Sequence, residues 1–237
     1  METSIFATLT RQSGLVREMR VIANNIANSN TTGFRQQGMI FSEYVQRSDI
    51  DSSVSMASAR IGNTSFAQGT LEQTGSRLDL AIEGDGYFLV ETSRGQRLTR
   101  AGSFSSSAEG LMVTPDGYPV LDAGGAPLFL PPSIDSVTVG ADGTLSAEGA
   151  PIGQVGVVRP LRPDRMTRDA GQLFEAADGF DPVENPTVMQ GFVEASNVDI
   201  VLQMARMVEV QRAYELGQSF MEREDERIRA ALESIAT

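Results

Sequence analysis

Apolar and small residues at the two ends of the chain recur with a helical period, whereas those of the middle come in short runs cut by turns. From Ser4 to about Ser29, Ile5, Leu9, Val16, Met19, Ala23 and Ile26 follow steps that alternate four and three, with Gln12 in the one polar slot. Such spacing is a heptad seam rather than a broad core-facing stripe. It predicts a helix of ~25 residues, roughly 37 Å long. Gly14 falls inside it at a cost of about 1 kcal/mol. A second seam runs from Asn197 through Ile200, Met204, Met207, Gln211, Tyr214, Gln218, Met221, Asp225, Ile228, Leu232 and Ile235. Ser196 or Asn197 is placed to cap it, with Asp199 in the first turn, and the helix extends about 55–60 Å. Past Met221 the surface turns charged, with Asp225 and Arg229 spaced i,i+4 and Glu224 and Arg227 spaced i,i+3.

Between the helices the periodicity changes. Leu80–Ile82, Tyr87–Thr92, Leu111–Thr114, Val137–Val139, Ile152–Arg159 and Leu173–Ala176 read as strands. Asp85-Gly86, Asp116-Gly117, Asp142-Gly143 and Asp178-Gly179 read as turns between them. The stretch from Thr31 to Thr70, rich in Ser, Gln, Gly and Ala, reads as an extended connector with little core. The expected class is therefore mainly β with long terminal α-helices. The plan is an N-terminal helix (1–30), a connector (31–70), an all-β domain (71–195) and a C-terminal helix (196–237). A lone heptad helix is marginal in water. The two seams are thus expected to pair in a coiled-coil-like region, with the β domain inserted between them.

Composition narrows the chemistry. The 237 residues carry no Cys, no His and no Trp, and all 19 basic residues are Arg. Disulfides, thiolate nucleophiles, imidazole bases, Schiff-base lysines and a P-loop lysine are excluded. A net charge of −12 and a pI near 4.5 oppose binding to nucleic acid or anionic lipid. No stretch approaches the ~20 apolar residues of a membrane span. The opening Met1-Glu2-Thr3-Ser4-Ile5-Phe6 lacks the basic and continuous apolar regions of a cleaved signal. Gly84-Asp85-Gly86 follows a strand, but Leu89 stands where a nucleotide loop needs its third glycine, so Gly84 and Gly86 read as a tight turn. No calcium loop, carboxylate pair in a cleft context or serine-nucleophile elbow is present. No cofactor, metal or catalytic residue is expected.

Candidate function therefore lies on the helices. The first helix ends in Asn24, Asn25 and Asn28 before Gly33, and asparagine is a mediocre helix former. A neutral amide donates and accepts at once, which suits an interface without burying charge. Ile5, Leu9, Val16, Met19, Ala23, Asn24, Asn25, Ile26 and Asn28 form the candidate interface of the first helix. Ile200, Met204, Met207, Gln211, Tyr214, Gln218, Met221 and Ile228 form that of the second, and Gly33 is a hinge releasing the chain into the connector.

Four blocks extend this reading: "VIANNIANSNTTGFR" (Val21–Arg35), "QGTLEQTGSRLDLAIEGDGYFLV" (Gln68–Val90), "RAGSFSSSAEGLMVTPDGYPVL" (Arg100–Leu121) and "QGFVEASNVDIVLQMARMVEVQRAYELGQ" (Gln190–Gln218). In order and content they resemble the flagellar basal-body rod and hook proteins. The opening and the tail are most similar to the proximal rod branch, with the distal rod branch as alternative. The resemblance implies a non-enzymatic subunit whose terminal helices assemble with copies of itself and with other rod proteins. It further implies export by the flagellar type III apparatus without a cleavable signal, and a place in the periplasm-spanning rod. A soluble coiled-coil dimer presenting a β-domain binding module is the alternative from another class.

Overall fold

The structure, a computed structural model, describes residues 2–46, 54–131 and 137–236, with side chains described at 8–40, 63–131, 137–231 and 233. The chain is mostly β, with an α-helix near each end, α1 (Glu2–Ala27) and α2 (Ile200–Ala236). It divides into two compact units, and neither is a continuous stretch of sequence. Unit 1 holds residues 1–29, 36–65 and 198–237, and unit 2 holds 30–35 and 66–197.

In unit 1 the two helices pack side by side. Leu15 and Ile22 of α1 meet Val210 of α2, flanked by Met19, Ile26, Met207, Ala213 and Tyr214. Contacts Gln12–Tyr214, Glu18–Arg206 and Asn25–Gln203 run in opposite directions along the two helices, so the pair is antiparallel. α2 starts one residue after Asp199, whose carboxylate accepts from the Leu202 amide at 3.0 Å. Asp199 itself is thus the cap, rather than Ser196 or Asn197, because its short carboxylate reaches the orphan N–H of the first turn.

The rest of unit 1 is a long hairpin of β1 (Gln37–Gln46) and β2 (Val54–Thr64), antiparallel with a register shift at Gly38/Met39. Within the segment read as an extended connector, Gln37–Gln46 and Val54–Thr64 are therefore paired backbone. Its Ser-, Gln- and Ala-rich composition hid the strands, because such residues carry little strand preference of their own.

Unit 2 is built on a six-stranded antiparallel sheet. In spatial order its strands are Thr167–Ala170, Leu173–Glu175, Gly95–Thr99, Tyr87–Thr92, Val157–Pro160 and Phe180–Pro182. Tyr87–Thr92 lies inside the sheet and alternates between two cores. Phe88 and Val90 join Leu80, Ile82, Met112, Val120 and Leu145 on one face. Tyr87 and Leu89 join Leu98, Leu121 and Phe174 on the other. That double burial explains why this strand reads as an uninterrupted apolar run. Leu80–Glu83 pairs with Thr187–Gln190, and Leu71–Gln73 with Phe192–Glu194.

The run read as one strand from Ile152 to Arg159 is two, Ala150–Gln154 and Val157–Pro160. The break falls at Gly156, where a Cβ would stand 2.6 Å from the backbone of Asp122. Three of the Asp-Gly pairs close as turns, with the amides of Gly117, Gly143 and Gly179 each donating at 2.9 Å to the carbonyl three residues back. Gly84 and Gly86 also hold positive φ, +83° and +141°.

Phe88 has no solvent exposure and meets Phe104 edge-on, ring centroids 5.2 Å apart. Phe88→Ala is expected to destabilise unit 2 by about 3–5 kcal/mol, the usual cost of an aromatic cavity. A lower urea midpoint with an unchanged slope checks this.

Candidate assembly interface

The face that α1 turns to α2 is more polar than its seam suggests. Gln12, Glu18 and Asn25 are all buried there, and so is Gln203 of α2. Asn25 is 1% exposed and behaves like one more residue of β-ladder. Its Nδ2 donates to the Gln37 carbonyl at 2.8 Å, and its Oδ1 accepts from the Gln37 amide at 2.9 Å. The same Nδ2 lies 3.2 Å from Gln203 Oε1. One amide thus ties α1, the first residue of β1 and α2 together, satisfying a backbone donor and acceptor at once. Asn24 is exposed, and Asn28 bonds back along its own helix, Nδ2 to the Asn24 carbonyl at 2.8 Å.

Further along, Gln12 Nε2 donates to the Tyr214 carbonyl at 2.9 Å. Gly217 makes this approach possible, since a Cβ there would sit 2.0 Å from Gln12 Nε2. Glu18, nearly buried, accepts from Nε and Nη2 of Arg206, both at 3.0 Å.

These contacts sort the candidate residues. Met19 and Ile26, with Met207 and Tyr214, lie in the helix pair. Val16, Met221 and Ile228 are half-buried. Ile200 is also half-buried, while Leu9, Ala23, Met204, Gln211 and Gln218 are exposed. Ile5 lies in α1, but its side chain falls outside the described residues. The intramolecular face is therefore turned by about one residue from the heptad count, and Leu15, Ile22 and Val210 fill it. Many of the large exposed apolar side chains lie on α2: Val201, Leu202, Met204, Val208, Leu216 and Phe220.

Unit 2 contains a second polar cluster that the sequence reading passed over. Glu194, at the end of strand Phe192–Glu194, is 1% exposed. Its Oε1 lies 2.6 Å from Arg35 Nη1 and accepts from the Gly69 amide at 3.0 Å. Its Oε2 accepts from Arg100 Nη1 at 3.2 Å. Arg100 also bonds the carbonyls of Ile82, at 3.1 Å, and Gly84, at 2.5 Å. Burial lowers the pKa of Arg100, and burial raises that of Tyr87, whose ring lies 5.2 Å from the Arg100 guanidinium. Arg168 is held over Phe34 at 4.6 Å and Phe174 at 4.9 Å, and donates to the Arg35 carbonyl at 2.5 Å. Burial brings its pKa down to about 10, so it keeps its charge at neutral pH and the ring contacts stay cationic.

Gly33 belongs to this cluster rather than to a free hinge. Its amide donates to the Glu194 carbonyl at 2.7 Å, and its φ is +69°. A Cβ there would stand 2.2 Å from the Ala101 nitrogen. The signal available in the sequence was a lone acid inside the apolar run of Phe192, Val193 and Ala195, but nothing local names its partners.

The chain is 37% identical to the flagellar basal-body rod protein FlgF of Caulobacter vibrioides, over 99% of this chain and 98% of that one. It belongs to the flagellar basal-body rod protein family. FlgF of Mesorhizobium japonicum is 38% identical over 91% of this chain and 90% of its own. The rod protein FlgG of Bacillus subtilis is 32% identical over 95% and 96%. Family models match in three places. "Flagella basal body rod protein" covers residues 9–35, "Flagellar hook protein FlgE/F/G D1 domain" covers 81–147, and "Flagellar basal body rod FlgEFG protein C-terminal" covers 189–234. This rod-family chain is a structural subunit, not an enzyme. Each rod-family match carries one member of the unit 2 cluster: Arg35, Arg100 and Glu194 in turn.

Glu194→Gln leaves two buried arginines without their counter-charge and is expected to cost unit 2 about 3–5 kcal/mol. Denaturant unfolding of the purified chain, compared with wild type, measures it. Asn25→Leu removes the paired bonds to Gln37, and an orphaned buried donor and acceptor cost about 1–3 kcal/mol each. Unit 1 should exchange its amide hydrogens faster while the strands of unit 2 keep their protection.

Proposed function

We propose that the chain is a subunit of the proximal rod, a part of the shaft of the bacterial flagellar basal body, and that it assembles through its terminal helices. The observation that carries this reading is the second apolar face of α2. Its inward face is already satisfied by Leu15, Met19 and Ile22 of α1. Yet Met204, Val208, Leu216 and Phe220 stay 43–71% exposed at intervals of four or eight residues. A helix that is apolar on two sides is built for more than one helical neighbour.

The relatives favour the proximal branch, with FlgF proteins at 35–38% identity and FlgG proteins at 29–32%. The partners in this reading are other copies of the chain, the remaining proximal rod proteins and the distal rod protein. The antiparallel helices act as a coiled-coil-like stem and the strand-rich unit as a domain inserted between them. Torque is then carried by many weak contacts repeated along a non-closing helical lattice. Export through the flagellar type III apparatus delivers the chain to the rod. No described helix is long and apolar enough to cross a membrane.

Electron microscopy of basal bodies from a strain lacking the gene, scored together with swimming, tests the assignment. Rings without a completed rod, in non-motile cells, are the expected result. Intact rods and hooks would remove the rod assignment and leave the soluble dimer as the better reading.

A further inference from the structure

We propose that the C-terminal three turns of α2, from Glu224 onward, seat in the open groove between α1 and α2 of a second copy of the chain, in a head-to-tail contact. The direction of this contact rests on the rod reading above, since a shaft needs contacts that do not close on themselves.

The groove lies in unit 1, where Thr8, Arg11 and Leu15 of α1 face Leu216, Gly217 and Phe220 of α2 around about 390 Å³. Gln12 fills the space against Gly217 on the groove floor, and Leu216 and Phe220 stand 71% and 43% exposed at its edge. The occupant is identified by register, charge and size. Gln12 lies beside Tyr214 and Glu18 beside Arg206, so that register sets Glu2, where α1 begins, opposite about Glu224. Beyond that level Asp225, Glu226, Arg227, Arg229, Ala230, Ala231 and Glu233 are exposed, and among the described side chains only Glu224 and Ile228 are half-buried.

The segment carries Glu224, Asp225, Glu226 and Glu233 against Arg227 and Arg229, and is acidic. Among the α1 residues that line the groove, Arg11 carries the opposite sign. Ile228, Leu232 and Ile235 follow each other at steps of four and three, the spacing of a helix that presents one apolar line. The segment is ~19 Å long and the groove from Thr8 to Leu15 about 11 Å, so one covers the other. Because the donor segment and the acceptor groove are different surfaces, copies can add without limit.

The absence of cysteine permits a direct test on the full-length chain. Thr8→Cys and Ala230→Cys proteins are prepared separately, mixed and mildly oxidised. The mixed disulfide dimer should exceed either homodimer several-fold. It should fall several-fold in 1 M salt and when Arg11→Glu is added to the Thr8→Cys chain. A chain carrying both cysteines should give a ladder of oligomers. Absence of the mixed dimer, or a ladder that stops at two, overturns the proposal. In cells, a chain truncated after Arg223 should fail to enter the rod, with its helicity checked by circular dichroism. If that folded, truncated chain is found in purified basal bodies of swimming cells, the contact is refuted while the rod reading stands. If the full-length chain itself is missing from basal bodies, the rod reading falls instead.

Discussion

Unit 2 depends on one buried carboxylate. Glu194 receives Arg35 from the short segment that opens the unit, Arg100 from the centre of its sequence and the Gly69 amide from a third place. Taking these charges out of water is expensive, and a well-packed apolar substitute is often as stable. What the arrangement secures is uniqueness, because an acid with two arginine partners tolerates only the register that brings all three together. The strands Phe192–Glu194 and Leu71–Gln73 are only three residues each, and the cluster adds to the backbone bonds that set their pairing. Gly33 is drawn into the same constraint, since the backbone at Ala101 comes too close for any side chain there.

Unit 1 solves a similar problem with neutral amides. Asn25 copies the hydrogen-bonding pattern of a strand residue from the end of a helix, and Gln12 reaches the backbone of α2 where Gly217 leaves room. An amide fixes register by direction without a desolvated charge, and it leaves the apolar residues of α2 free to serve the other face. The run of asparagines after Ala23 is thus not one feature. Asn25 is a structural joint, Asn28 closes the helix end, and Asn24 faces solvent.

The helices were legible because their apolar period holds over many turns despite a few polar slots, and the inner strand Tyr87–Thr92 because its apolar run is nearly continuous. The face on which the two helices of one chain pack lies about one residue from the heptad count for a physical reason. Gln12, Glu18, Asn25 and Gln203 occupy buried contact positions, while Leu9 and Met204 keep apolar side chains exposed, so hydropathy alone points to the wrong edge of the stripe. The strand Thr167–Ala170 was invisible because its residues are mostly polar and its pairing is a backbone matter. The charged cluster was hidden for a different reason: Arg100 and Glu194 are 94 positions apart, and nothing in either local context names the other.

The two units are interleaved rather than strung in sequence, and the chain passes between them at four points, after Ser29, Arg35, Ser65 and Asn197. Exchange by a single recombination event would be a poor way to diversify such a molecule. A gene segment cut at the two outer junctions of 66–197 carries Glu194 and Arg100 away from Arg35. A transplanted strand-rich unit would arrive with a vacancy that only a compatible arginine in the host's own early segment could fill. Variation between relatives is therefore expected to accumulate by point substitution and loop insertion, with the six residues from Asn30 to Arg35 travelling as a hidden part of whichever unit they complete.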